Sequence, residues 1–182
     1  RVLGVRHAAL DPLQRMDRAY VPELDPAYQG FTDADMATVF NSGSVIGLGR
    51  APLSEIIARL QEIYCSAIGL EYMHITNSEQ KKWIQTRFES TRSKPSFDAD
   101  TKKRILKKVV AAETLERYLG TKYVGVKRFG LEGGESMLPA LDQLFQRAGS
   151  LGVKECVIGM AHRGRLNVLV NALGKSPADL FA

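Results

Sequence analysis

The 182-residue chain is 45% hydrophobic and 25% charged, with a net charge of +5, a globular composition that excludes disordered and fibrous classes. No apolar run approaches the roughly 20 residues that a membrane-spanning helix needs, and the chain, which opens at Arg1, shows no charged-then-apolar start of the secretory kind. Three histidines exclude a histidine-rich metal site, and Cys65 and Cys156, far apart and without a CxxC spacing, read as buried reduced thiols of a cytosol-like compartment.

Taken in chain order, the first half reads as short helices joined by polar loops. A helix is predicted over residues 33–40, after Thr32 as N-cap, with Met36, Val39 and Phe40 on one side. The Gly/Ser stretch 41–50 reads as loop. From Leu53, the residues Ile56, Ile57, Leu60, Ile63 and Tyr64 recur at helical spacing. Ser78 caps the next predicted helix, whose inward residues are Trp83, Ile84, the Arg87 stem and Phe88, and Pro95 lies in the break that follows. Thr101 begins a basic amphipathic helix through Ile105, Val109, Ala112 and Leu119, which Gly120 is expected to stop.

The character changes near Lys122. Residues 123–126 are short and apolar, and 127–135 form a glycine-bearing loop. Ser136 is expected to cap a helix with Pro139 in its first turn, where a missing N–H is harmless, and with Met137, Leu138, Leu141, Leu144, Phe145 and Ala148 on its apolar face. Lys154 to Met160 (KECVIGM) reads as a buried strand, residues 161–164 as a turn, and 165–173 as a helix stopped by Gly174. Ser176 and Pro177 open one more helix, which the sequence leaves unfinished at Ala182, as in a fragment. The expected fold class is therefore α/β: a mainly helical region over 1–121, then the beginning of an α/β domain over 122–182.

Basic residues concentrate between Lys81 and Arg128, at Lys81-Lys82, Lys102-Lys103-Arg104, Lys107-Lys108 and Lys127-Arg128. Such a stretch can meet nucleic acid, but acidic residues are interspersed and no aromatic-basic interleaving appears. A solvated helix face, or a contact with an acidic part of a larger assembly, is the reading adopted, with neither nucleic acid nor membrane as partner.

The chemistry points to the turn Ala161-His162-Arg163-Gly164-Arg165. Ligands of open α/β sheets bind where a strand gives way to a helix, and a helix start offers N–H groups to a phosphate. Two arginines there add permanently charged, planar donors. His162 adds the one nearby group able to exchange a proton near neutral pH. The same three side chains can equally solvate a turn and pair with carboxylates elsewhere. The loop 129–135 (FGLEGGE) lacks the Lys-Ser/Thr of a nucleotide-binding loop, and its two acids would repel phosphate, so it reads as a structural turn. His74 reads as a packed or capping histidine.

Two runs, Lys127-Arg-Phe-Gly-Leu-Glu-Gly133 and Gly159-Met-Ala-His-Arg-Gly-Arg-Leu-Asn-Val-Leu169, resemble the 2-oxoglutarate dehydrogenase E1 family. Leu10-Asp-Pro-Leu13, Tyr64-Cys65, Ile68-Gly-Leu-Glu-Tyr-Met-His-Ile75 and Trp83-Ile-Gln85 resemble it in the same order, so the likeness spans nearly the whole chain and is closest to bacterial members. The resemblance implies a homodimeric enzyme using thiamine diphosphate and Mg2+, with residues 122–182 as the start of its thiamine-diphosphate-binding domain. It implies decarboxylation of 2-oxoglutarate, with the succinyl group passed to the lipoyl domain of the E2 component. By the same resemblance His162 lies in the active centre, holding the 2-oxo acid, and Arg163 reaches the cofactor's diphosphate. The expected compartment is the bacterial cytoplasm, or the mitochondrial matrix if the protein is eukaryotic. The family's GDG and its following asparagine, which carry the Mg2+ ligands, are absent from the 182 residues, as are its activating glutamate and later histidines. No metal ligand is therefore assigned here, and the chain by itself is expected to be inactive. A 2-oxoadipate dehydrogenase E1, or a non-catalytic docking module of such a complex, are the alternatives.

Overall fold

A computed structural model describes residues 1–181 and divides the chain into two compact units, Arg1–Ser96 and the segment from Phe97 on. The division falls where Pro95 interrupts the helices, whereas sequence character changes near Lys122. The long basic helix accordingly belongs to the second unit.

The first unit opens with 3-10 turns and a two-stranded antiparallel hairpin. Its strands are β1 (Val39–Asn41) and β2 (Arg50–Pro52), in the register Val39↔Pro52, Phe40↔Ala51, Asn41↔Arg50. The helix expected over 33–40 is not formed. The Asp35 carboxylate takes hydrogen bonds from both the N–H and the hydroxyl of Thr32, which closes a single 3-10 turn over Asp33–Asp35. Val39 and Phe40 then enter the hairpin, where β-branched and aromatic side chains suit an extended backbone better than a helix. The Gly/Ser stretch is the hairpin's loop.

Helix α1 (Leu53–Tyr64) forms as its spacing predicts and buries Leu53, Ile56, Ile63 and Tyr64. Helix α2 (Ser78–Ser90) starts where expected, but its cap is Asn77, whose Oδ1 accepts the N–H groups of Glu79 and Gln80. Ile63, Tyr64 and Tyr72 form the core of this unit, with Leu60, Leu70, Ile75, Ile84 and Phe88 packed against them. Trp83 is exposed rather than inward, with the Arg87 guanidinium over its ring at 5.4 Å. His74 is exposed too, so it is not a packed residue.

One acid is sealed into this unit. Glu89 accepts hydrogen bonds from Arg1 Nε at 2.8 Å, Tyr64 Oη at 2.7 Å and the Ile46 N–H at 2.8 Å, and Tyr64 in turn meets Tyr72 Oη at 3.1 Å. Burial pushes the Glu89 carboxyl up, but these donors and the Arg1 charge outweigh it and hold the group below the usual carboxylate range.

In the second unit α3 (Ala99–Lys122) is capped by Asp98, which accepts the Thr101 N–H at 2.7 Å. It does not stop at Gly120 but runs on to Lys122. Gly120 serves another purpose: a Cβ there would lie 3.1 Å from Arg128 Nη1, so its bareness lets that guanidinium rest on the helix. Helix α4 (Met137–Ser150) packs on α3, and Ala112, Leu131 and Leu138 form the core with Met137 and Ala172. Part of the basic character of α3 is spent on this contact. Arg104 donates to Gln143 and Gln146, and Lys108 pairs with Asp142 at 3.1 Å and donates to the Asn171 carbonyl.

The strand expected at Lys154 to Met160 is not formed; the segment belongs to no helix or strand. A strand needs a neighbour to take its N–H and C=O groups, and among the described residues the paired strands are β1 and β2 alone. Val157 is fully exposed, and Cys156 is exposed rather than buried, while Cys65 is half-buried. After the turn come α5 (Arg165–Asn167), a π-helical turn over Val168–Ala172, and α6 (Pro177–Phe181). Among the described residues no helix is long and apolar enough to cross a membrane.

Candidate functional site

The turn 161–164 and the loop 127–135 come together within the second unit. The Gly164 N–H donates to the Phe129 carbonyl at 2.9 Å, and Arg163 Nη1 donates to the Gly130 carbonyl at 3.0 Å. The Phe129 ring lies beside the His162 imidazole, centroids 5.4 Å apart and planes inclined by 30°. The two runs that the sequence singled out separately are therefore one structural element.

Gly164 makes the approach possible. Its φ is +72°, a left-handed conformation, and a Cβ there would fall 2.6 Å from Leu131 Cδ1. Leu131 is itself buried between Ala112 and Leu138. A Gly164→Ala variant is expected to lose about 1–3 kcal/mol from backbone strain alone, read as a lowered midpoint in chemical denaturation. A midpoint equal to that of the parent would show that the turn does not depend on this conformation.

His162 opens onto a cleft of about 300 Å3 lined also by Leu119, Tyr123, Lys127, Phe129 and Arg165. Val126, Arg128, Leu166 and Phe181 complete the lining, so its charged groups are Lys127, Arg128 and Arg165, with no carboxylate among them. Arg128 is paired with Glu116 and Glu132; an apolar lining with Lys127 and Arg165 beside it fits an anionic ligand with an aromatic or aliphatic body. Arg165 also donates to the Met160 carbonyl at 3.2 Å, which steadies the base of the turn.

Arg163 does not line that cleft. Its guanidinium is turned to the loop side, held by Gly130, with Glu132 near enough to feel its charge. The Glu132 carboxyl is held low by a backbone hydrogen bond and by Arg128 before Arg163 contributes. Helix-start N–H groups, expected to serve a phosphate, are partly consumed: Gly164 donates to Phe129, and Arg165 donates to the His162 carbonyl at 3.3 Å. Side chains rather than backbone thus carry the positive character here.

Three residues that sequence reasoning passed over support the turn from behind. Asn167, fully buried, donates to the Ala112 carbonyl at 2.9 Å and to Glu116 at 3.0 Å, and it accepts from Asn171 at 2.7 Å. A signal existed: two asparagines four residues apart on an otherwise apolar helical run, where a buried amide must find partners. Among the described residues no group of three or more His, Cys, Asp or Glu side chains is placed to hold a metal ion.

Curated relatives match along the entire chain. It is 57% identical to the 2-oxoglutarate dehydrogenase E1 component of Cupriavidus necator, 52% to that of Azotobacter vinelandii and 46% to that of Brucella canis, in each case over 100% of this chain. The chain spans only 19%, 19% and 18% of the lengths of those three relatives. No protein-family model matches it.

Proposed function

We propose that this chain, homologous along its whole length to a segment of 2-oxoglutarate dehydrogenase E1 components, forms one wall of the active centre of such an enzyme. The full protein decarboxylates 2-oxoglutarate and transfers the succinyl group to the lipoyl domain of the E2 component, as a homodimer in the bacterial cytoplasm. The relatives are named for 2-oxoglutarate, which favours that substrate over 2-oxoadipate and catalysis over a docking role. The observation that carries the reading is the cleft under His162, whose charged lining comes from the same two runs that resemble the family.

Thiamine diphosphate, when bound, supplies the carbanion stabilisation that a 2-oxo acid needs to lose CO2. The residues present fit its anionic part: Arg163, on the loop side, retains guanidinium N–H groups beyond the one given to Gly130, while Lys127 and Arg165 supply the cleft under His162 with cations for the carboxylates of a 2-oxo acid. They do not supply the Mg2+ that accompanies a diphosphate, whose several oxygen ligands must come from the rest of the protein. Residues 122–182 are then the start of the cofactor-binding domain. The unpaired segment at 154–160 becomes a strand only when the remaining polypeptide provides its neighbours. Within this wall His162 faces the 2-oxo acid, where its ring N–H can hold the oxo or carboxylate oxygen, and Arg163 binds the diphosphate.

Two assays test this. The full-length protein should release CO2 from 2-oxoglutarate in the presence of thiamine diphosphate and Mg2+, and do so faster than from 2-oxoadipate. The isolated chain should bind the cofactor weakly and release none. A full-length protein that leaves 2-oxoglutarate untouched would sink the proposal.

A further inference from the structure

We infer that Glu116, with Asn167 and Arg128, positions the loop 127–135 against the His162–Arg163 turn, so that one buried carboxylate on α3 sets the geometry of the proposed active-site wall. The inference rests on the function proposed above, and Glu116 itself lies outside the runs that carry the resemblance.

Glu116 is almost completely buried in the C-terminal part of α3. One of its oxygens, Oε1, accepts from Asn167 Nδ2 at 3.0 Å, and Asn167 sits on the helix that the turn opens. Its other oxygen, Oε2, lies 3.4 Å from Arg128 Nε, and Arg128 sits in the loop. The guanidinium rests on the bare face of Gly120, and its Nη2 donates to the Glu132 carboxylate at 2.5 Å. Each half of the wall is thus tied to the same side chain. The turn half is tied through Asn167, which Asn171 and the Ala112 carbonyl fix in orientation. The loop half is tied through Arg128, next to Phe129 and Gly130, whose carbonyls receive Gly164 and Arg163.

Stability is a poor reason for such an arrangement. Removing a carboxylate and a guanidinium from water costs about as much as their attraction returns, and an apolar pair of the same size would often do as well. Here the bargain is worse than usual, because neither Glu116 Oε2 nor Arg128 Nε has a well-aligned hydrogen bond; charge alone joins them. What the pair does provide is a fixed distance between two backbone segments that both carry site residues. Partners of this kind behind metal ligands change affinity or activity about 10- to 100-fold when lost, and the lower end of that range is expected for this pair.

The test uses the full-length protein and reads cofactor affinity by calorimetry, alongside the thermal midpoint and the steady-state constants. Glu116→Gln keeps the shape and removes the charge that holds Arg128. The apparent Kd for thiamine diphosphate should rise about tenfold, and KM for 2-oxoglutarate should rise with it. A midpoint well above the assay temperature would show that the protein is folded throughout. Glu132→Gln, on the exposed side of the same guanidinium, should move the same constants in the same direction by a smaller factor than Glu116→Gln, because Glu132 is the more solvated carboxylate. It decides the question alone if Glu116→Gln does not fold. A purely structural role would lower the midpoint or the active fraction and leave Kd and KM at parental values, and that result overturns the inference. Parallel titration of His162→Ala and Arg163→Ala separates the two levels. If those variants shift Kd or KM while the Glu116 and Glu132 variants do not, the site stands and the positioning role fails; if none shifts, the site reading has failed.

Discussion

Replacing Glu89 by alanine is expected to cost the first unit about 3 kcal/mol. The substitution strands the Tyr64 hydroxyl and the Ile46 N–H without an acceptor and leaves the half-buried Arg1 guanidinium unpaired. The cost should appear as a loss of chemical-denaturation stability at neutral pH. Glu89 also makes stability acid-sensitive. Its folded-state pKa is depressed below the unfolded value of 4.5, so its contribution is fully present above pH 4.5 and is lost as pH falls through the folded value. Glu89→Gln should therefore be less stable than the parent at neutral pH, and the difference should shrink as the medium is acidified below pH 4.5. A constant difference between the two across that range would mean that Glu89 does not titrate with unfolding.

The tie explains why a loop rich in glycine and serine holds its place. Ile46 belongs to the hairpin loop between β1 and β2, and Glu89 reaches it from the end of α2, 43 positions away. Nothing in the sequence announces that contact. The periodic helices were legible because their apolar stripes carry their own signal: Leu53 to Tyr64 is helical wherever it is buried. The 33–40 segment was not legible, since a good N-cap at Thr32 speaks for a helix locally, while Phe40 finds its strand partner at Ala51 only through the fold. The segment at 154–160 shows the reverse problem. Its apolar, β-prone composition describes a strand in company, and the described residues provide no company for it.

Legibility of the candidate site divides in the same way. His162, Arg163 and Arg165 stand out as candidates from their place between an apolar run and a helix. Residues 129–135 were correctly read as a turn: Gly133 takes a φ of +87°, and the Gly134 N–H closes on the Leu131 carbonyl. That this turn seats the other was beyond reach, because the link is made by backbone carbonyls, which every residue has. Glu116 was equally hidden. On α3 it is one acid among several, and its burial depends on the chain folding α5 against that face.

In the full-length protein, Arg163→Ala and His162→Ala are expected to fail in different ways, each by about ten- to a hundred-fold. Arg163 should contact a diphosphate that is bound with or without substrate, so its loss should raise the apparent Kd for thiamine diphosphate and leave turnover at saturating cofactor much less affected. The structure adds a refinement. Because Arg163 Nη1 also holds the Gly130 carbonyl, alanine removes a loop anchor as well as a charge. Arg163→Lys keeps the charge but loses the planar fork, so it should recover only part of the affinity. His162 lies on the cleft wall against Phe129, where its loss removes a polar group from the face that the 2-oxo acid would meet. Its alanine variant should mainly lower kcat/KM for 2-oxoglutarate at saturating cofactor. If the histidine holds the transition state more tightly than bound substrate, kcat falls with it. Steady-state titration of each variant, first in cofactor and then in substrate, reads both effects. Parental constants in both variants would make the turn structural. Exchanged roles would keep the site but swap the sides of the loop, with Lys127 and Arg165 then binding the diphosphate in the cleft and the 2-oxo acid meeting Arg163.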